Sequence, residues 1–506
     1  MALALPAAAV ERLRAPARWE GRPDAPWLGL ILVAVGAAAV GMMVPLSGAG
    51  VLVLLAPILL GAAAVIFVRP DIGLPIVFLA VPLEIMFWEV VGVRVKPYQM
   101  LGVVVMLGWA AQVLVGRRLP RGSSVALPLA LVVGGQVATL IIHLEHLSFG
   151  IGLFFLQLWF AAAVLLLANF AGEPAVLRRC FWALVLAGSL EAVCGLAQAA
   201  SFYQRSGAMA AYQAILHDGR CWGTFTEPDF LGAFLAGSFL LLVPFWARAR
   251  PGSMPILLGM PILAAIVLAM VRASWLGMLA GLLVFGVVRL RSRAARVTGA
   301  PVRGLLTVLL AALATLAVIA WLSPPALSAV TTRAKNIVTI VEPEMPSPSR
   351  LHEVQELTAA VRDAPLTGHG IGTYALYTRY GRTVAEDQGR QRGAVVGSGT
   401  PLGLLFDQGI PGLAFFTLFM GVVFWRLWRA LAMADEEWAP YLQAMLVSLA
   451  GLTVATLVNN TYYFGFLWLE IALAVALTEG LMPARGGRPA TACVVERTDV
   501  TGSNGG

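Results

Sequence analysis

The feature that most limits what this chain can become is a succession of apolar runs, each close to the ~20 residues a helix needs to cross the hydrocarbon core of a bilayer. They lie at 27–45, 49–68, 73–88, 97–116, 124–142, 151–170, 178–200, 229–247, 254–271, 273–290 and 304–322. Further runs follow at 400–428, 440–457 and 462–481. No strand-like alternation interrupts them, and in lipid only helices and closed barrels satisfy their own backbone, so the runs are helices. A chain of 506 residues that is 59% hydrophobic and 12% charged is too apolar for a soluble globular protein. The predicted fold is all-α, a polytopic integral membrane protein with about 12–14 transmembrane helices and one long extracytoplasmic loop.

Orientation follows from the connectors, because cytoplasmic loops retain Lys and Arg. Residues 1–26 carry Glu11, Arg12, Arg14, Arg18, Glu20 and Arg22 without an apolar core, so they read as a cytoplasmic tail and not as a signal peptide. Alternate connectors then hold Arg69; Arg117, Arg118 and Arg121; Arg178 and Arg179; Arg248 and Arg250; Arg289 to Arg303; Arg426 and Arg429; and Arg485 and Arg488. The expected organisation is a cytoplasmic tail at 1–26, a helix bundle at 27–322, an extracytoplasmic loop at 323–399, C-terminal helices at 400–481 and a cytoplasmic tail at 482–506. The ninth and tenth runs are kept as separate spans, since one helix through both would reverse the alternation after them. Within 400–428, Gly409, Pro411 and Gly412 mark a joint between a short re-entrant or interfacial helix and a span. The charge of +8 is nearly all arginine and its placement gives no sign of nucleic acid. Four cysteines without CxxC spacing predict neither a metal site nor a disulfide framework.

Most residues able to do chemistry fall in the long loop or face it. Inside the loop, Leu351, Val354, Leu357 and Val361 share one helical face from Arg350 to about Asp363, ended by Pro365 and Gly368. Arg272 sits between two tightly joined apolar runs, where a permanent charge is costly unless paired, solvated or used. It either snorkels to the headgroups or binds phosphate bidentately. Arg220 opens a stretch in which Glu227 is a plausible N-cap, Pro228 the first helical residue and Asp229 a second carboxylate in the first turn. Capping alone explains the two acids as well as a role in orienting a cation or hydroxyl does. His369, among Gly368, Gly370 and Gly372, is a candidate general base; those glycines resemble a phosphate loop only superficially, since no strand precedes them. Glu84, Glu191, Asp407 and Glu470 lie within runs and must be buried in the bundle or line a cavity.

Three stretches, in this order and topology, resemble the O-antigen ligase and O-antigen polymerase superfamily of bacterial polytopic transferases over roughly residues 215–480. They are Arg220 to Phe230 before a span, Arg272 to Gly277, and the long outer loop with Arg350, Pro365 to Gly372 and the Asp407 to Leu413 segment. The resemblance implies a GT-C-like fold. It also implies transfer or polymerisation of a glycan from an undecaprenyl-diphosphate carrier at the outer face of the inner membrane, without metal or other cofactor. The acceptor would be a glycan, lipid or protein hydroxyl. It implies substrate binding by Arg220, Arg272, Arg350 and Asp229, with His369 and Glu227 as catalytic candidates. Where members carry a His-Asn pair, this chain has Ser398 and Gly399; where they carry Asn-Pro-Asn, it has Glu227, Pro228 and Asp229; and Val354 stands near a frequent tryptophan. The alternatives are a transporter and a non-catalytic partner in envelope assembly. The gathering of polar residues on one face and the lack of repeated halves lean against transport.

Overall fold

The structure is a computed structural model and describes residues 61–90, 93–203, 220–246, 253–291, 310–317, 324–335, 350–379, 381–382 and 396–481. Two compact units divide the chain, Met1–Ala64 and Val65–Gly506, and the bundle belongs to the second. Its elements begin with α1 (Pro70–Leu79), a hairpin of β1 (Trp88–Val90) and β2 (Val93–Val95), and α2 (Pro97–Leu114). Next come α3 (Ala126–Ile142), α4 (Leu147–Ala168), α5 (Pro174–Tyr203), α6 (Pro228–Trp246), α7 (Met254–Ala269) and α8 (Arg272–Arg291). The later elements are α9 (Pro324–Lys335), α10 (Arg350–Asp363), α11 (Tyr374–Tyr377), α12 (Thr400–Met433), α13 (Ala439–Thr456) and α14 (Gly465–Leu481). Proline opens α1, α2, α5, α6 and α9 and is the second residue of α7, α12 and α13, where its missing N–H takes nothing from the helix.

Among the described residues, seven helices are long and apolar enough to cross a membrane, or up to eight if the bent pair Gly61–Val68 and Pro70–Leu79 is one span. The protein is therefore an all-α, multi-pass membrane protein with one small antiparallel hairpin, Glu89 opposite Arg94. The run expected at 27–45 and the tails at 1–26 and 482–506 lie outside the described residues, as do most of 49–68 and 304–322. The run at 73–88 is not a single spanning helix. Helix α1 ends at Leu79, ten residues or roughly 15 Å long, and Ala80 to Phe87 continue as irregular chain that is largely buried as far as Glu84 and exposed at Ile85 and Phe87. Such backbone survives at membrane depth only where protein surrounds it.

Helix α6 is the centre. Its apolar residues bury on every side, against α5, α7, α8 and α13. A helix hydrophobic all round has to be enclosed. Close approach is reached through small residues: a Cβ on Gly277 of α8 would stand 2.6 Å from the Gly451 carbonyl oxygen of α13. Between α7 and α8, Met270 adopts a left-handed conformation at φ 54°, which ends one helix and turns the next. The two runs are separate, as the charge alternation required.

The connectors sort into two ends. At one, Arg118 pairs with Glu173 at 2.5 Å, Arg178 with Glu437, and Glu479 accepts hydrogen bonds from the Ser123 and Ser124 hydroxyls at 2.7 and 2.9 Å. Arg291 lies over the Trp428 ring and Arg178 over Trp438. The described members of the expected cytoplasmic set thus gather together. The other end carries the segments 80–90, 93–97, 143–146, 220–228, 365–373, 396–399 and 457–464.

Helix α12 breaks at Gly409, with φ 68° and ψ −166°. The break frees backbone groups, and the loop after α10 meets them: His369 N–H donates to the Phe406 carbonyl at 2.8 Å, Gly370 N–H to the Asp407 carbonyl at 3.1 Å, and Ile410 N–H to the Pro365 carbonyl at 2.8 Å. A Cβ on Gly409 would stand 2.6 Å from the Leu366 carbonyl, and one on Gly368 would stand 2.6 Å from that of Asp407. Gly409→Ala is expected to destabilise the fold by about 1–3 kcal/mol, because only glycine adopts this conformation without strain. The check is a lowered thermal midpoint in detergent with faster amide exchange at His369, Gly370 and Ile410.

Candidate functional site

The site is assembled where the turn before α6 is pinned by α5. Gln198 of α5 accepts from Trp222 N–H at 3.1 Å and Gly223 N–H at 2.8 Å and donates to the Gly223 carbonyl at 2.8 Å. Glu191, one turn-pair earlier on α5, accepts from Thr224 N–H, and the Thr224 hydroxyl lies 2.9 Å from its Oε2 and 2.5 Å from the Pro82 carbonyl. Ile85 N–H donates to the Thr224 carbonyl at 2.8 Å, so the irregular chain after α1 and the turn before α6 brace each other. Glu191 is buried and serves this turn.

That bracing sets the polar residues around the start of α6. Arg220 Nη1 donates to Asp229 Oδ1 at 3.3 Å, each side chain 18% exposed. Glu227 directly precedes Pro228, and its carbonyl accepts from Leu231 N–H at 3.3 Å, as expected of a capping position. Helices α6 and α8 run side by side in the same direction, with Gly232 against Val271 and Ser274. Arg272, exposed at the first position of α8, therefore stands at the same end as Asp229. Arg350 opens α10, and its side chain lies outside the described residues.

A further cation borders the same turn. Lys96 forms an ion pair with Glu84, which is 1% exposed, and its ammonium lies 5.1 Å from the Phe464 ring centroid. Phe464 in turn packs on Phe230 of α6 at 3.8 Å between centroids. The two cationic side chains Arg220 and Lys96, each with a carboxylate partner, and the N-termini of α6 and α8 make this end suited to an anion. Among the described residues no three His, Cys, Asp or Glu side chains gather as a metal-binding group.

His369 is held differently from a free base. Its Nε2 donates to the Ala360 carbonyl at 2.8 Å, which places that proton on Nε2, and its ring packs beside Phe406 at 5.1 Å and Tyr377 at 4.5 Å. The three loop glycines all have positive φ, and the N–H groups of His369 and Gly370 are bonded to the α12 backbone. The loop helix α10 is rotated from the expected face. Leu357 is fully buried, but Val354 is 38% exposed, and Glu353 at 2% takes the inward position. Its Oε1 accepts from Tyr374 Oη at 2.7 Å and Gly397 N–H at 3.1 Å, and its Oε2 from Ser398 Oγ. Glu353 was the residue that pattern reading missed; the signal was an acid one position from an apolar stripe.

The fold and this end define a multi-pass membrane protein of helices whose polar residues collect around two helix N-termini and a folded loop. Residues 256–417, which include Arg272, Arg350, Ser398 and the broken start of α12, match the family model described as O-antigen ligase. No curated protein matches the chain.

Lys96→Met leaves the Glu84 carboxylate buried without its counter-charge and is expected to cost about 3–5 kcal/mol. Adding Glu84→Gln should restore most of the loss in a double-mutant cycle followed by thermal unfolding in detergent; additive losses would show that the two do not interact.

Proposed function

We propose that the protein transfers or polymerises a glycan carried on a polyprenyl diphosphate, of the undecaprenyl type, at the outer face of the bacterial inner membrane. The match of residues 256–417 to the O-antigen ligase family model supports the general activity, ligase or polymerase. The observation that carries the finer reading is the placement of Arg272 and of Arg220, oriented by Asp229, at the starts of adjacent helices. As the acceptor oxygen attacks the anomeric carbon, the bond to the diphosphate breaks and negative charge grows on the leaving group. Guanidinium groups already in position stabilise that charge more in the transition state than in the ground state. Arg350 would add a third cation from the loop. Glu227 and His369 are on the acceptor side of this reading, His369 through Nδ1, since Nε2 is committed to Ala360.

The gathering of arginines at the opposite end supports assigning that end to the cytoplasm and this one to the outer face. Broken helices are also a mark of transporters. Here the break in α12 is closed by the chain's own loop, and the irregular segment after α1 by Thr224, which favours transfer over transport.

Arg272→Ala is expected to lower release of lipid diphosphate by about 100-fold to 1,000-fold, the range for losing one oxyanion-stabilising donor. Arg272→Lys should recover only part of it, because a point charge lacks the bidentate fork. Turnover of Arg272→Ala at the wild-type rate, measured on detergent-purified protein with an undecaprenyl-diphosphate glycan and an acceptor, would remove Arg272 from the site.

A further inference from the structure

The inward carboxylate of α10 is not needed for packing alone. Leu357, one turn further, already fastens the helix to Tyr374, Val396 and Phe406. A charge in that position is costly unless hydrogen-bonded, and Glu353 is supplied with three donors. Two of them, Tyr374 Oη and Gly397 N–H, hold Oε1 and fix the carboxylate, leaving Oε2 to Ser398 Oγ. A hydroxyl bonded to a base that a third group orients is the arrangement that activates a hydroxyl for proton transfer or attack.

The position suits the transfer. Ser398 is in the turn into α12, beside the exposed Gly397, and Gly399 at φ 88° brings the backbone against the Leu457 carbonyl at the end of α13. Helix α8 runs along the same α13, Gly277 lying against Gly451 and Ala455, so Arg272, at the outer end of α8, approaches the same end of α13. His369, by contrast, has Nε2 committed to the Ala360 carbonyl and its ring packed against Phe406 and Tyr377.

We infer that Ser398 and Glu353 form the proton acceptor for the attacking hydroxyl, an inference that rests on the transferase reading above. The acceptor O–H breaks as its proton passes to Ser398 Oγ, while the proton of Ser398 passes to Glu353 Oε2. The freed electron pair forms the bond to the anomeric carbon. The carbon–oxygen bond to the diphosphate breaks, and its electron pair leaves with the lipid diphosphate. Glu353 then returns its proton to water. Ser398 touches the substrate; Glu353 is a positioning residue that acts through it.

The test uses the full chain in detergent, an undecaprenyl-diphosphate glycan, and two acceptors that differ in acidity, a sugar alcohol and a phenol-bearing analogue. A phenol, with a pKa of about 10, gives up its proton with little help. Ser398→Ala and Glu353→Gln are expected to lose about 100-fold or more in kcat with the alcohol, the range for a general base. With the phenol the loss should fall below tenfold, and the donor KM should stay within about twofold in both cases. Leu357→Ala, which loosens the same contact without touching the proton path, should lose equally with both acceptors. Ser398→Ala at the wild-type rate overturns the inference, as does a Ser398→Ala loss that is equal for both acceptors. If Arg272→Ala is inactive while Ser398→Ala is not, the transferase reading stands and the pair alone falls. A wild type that releases no lipid diphosphate with either acceptor overturns both.

Discussion

A helix broken inside a membrane leaves backbone donors and acceptors with no water to take them, and each one left bare costs several kcal/mol. Helix α12 breaks at Gly409, and the chain solves the problem by folding its own loop over the gap. Three hydrogen bonds, from His369, Gly370 and Ile410, close it. Everything at this end follows from that closure. It seats α10 against α12, which turns Glu353 toward Ser398, and it presses the glycine loop so near the α12 backbone that no side chain fits between them. The loop is thus a structural part of the bundle and not an appendage to it.

The same logic governs the other irregular segment. Residues 80–87 cross part of the bundle without helix, and the turn before α6 supplies the partners through Thr224. Glu191 and Gln198 hold that turn from α5. Two acids that membrane cost arguments single out, Glu84 and Glu191, therefore resolve differently: Glu84 meets a cation, and Glu191 meets a hydroxyl and an N–H. Neither stands alone, as a buried charge cannot.

Much of this was legible in the residues. Run lengths marked the helices, the arginine alternation marked the two ends, and Gly409 with Pro411 marked the joint in α12. The left-handed Met270 bears out the separation of α7 from α8 that charge alone required. What pattern could not give was the tertiary choice of face. Leu351, Val354, Leu357 and Val361 make the better apolar stripe on α10, yet three donors waiting at Tyr374, Gly397 and Ser398 outweigh it and turn the helix toward Glu353. Likewise the run at 73–88 is apolar enough for a span, but it stops at Leu79 because the bundle has partners ready for an irregular backbone there. Periodicity reports what a segment can bury; it is silent on which neighbours arrive to be bonded.

The loop that closes the break in α12 precedes that helix in the chain. A ribosome therefore delivers Pro365 to Gly370 before Phe406 to Ile410, and the donors and acceptors that the break will need are already made when the broken helix emerges. Were the order reversed, the first half of α12 would enter lipid with open backbone groups and wait for its cover. The arrangement of the chain thus makes the order of synthesis part of how the fold is reached, and a circular permutation that moved this loop behind α12 would keep every native contact while losing that sequence of events.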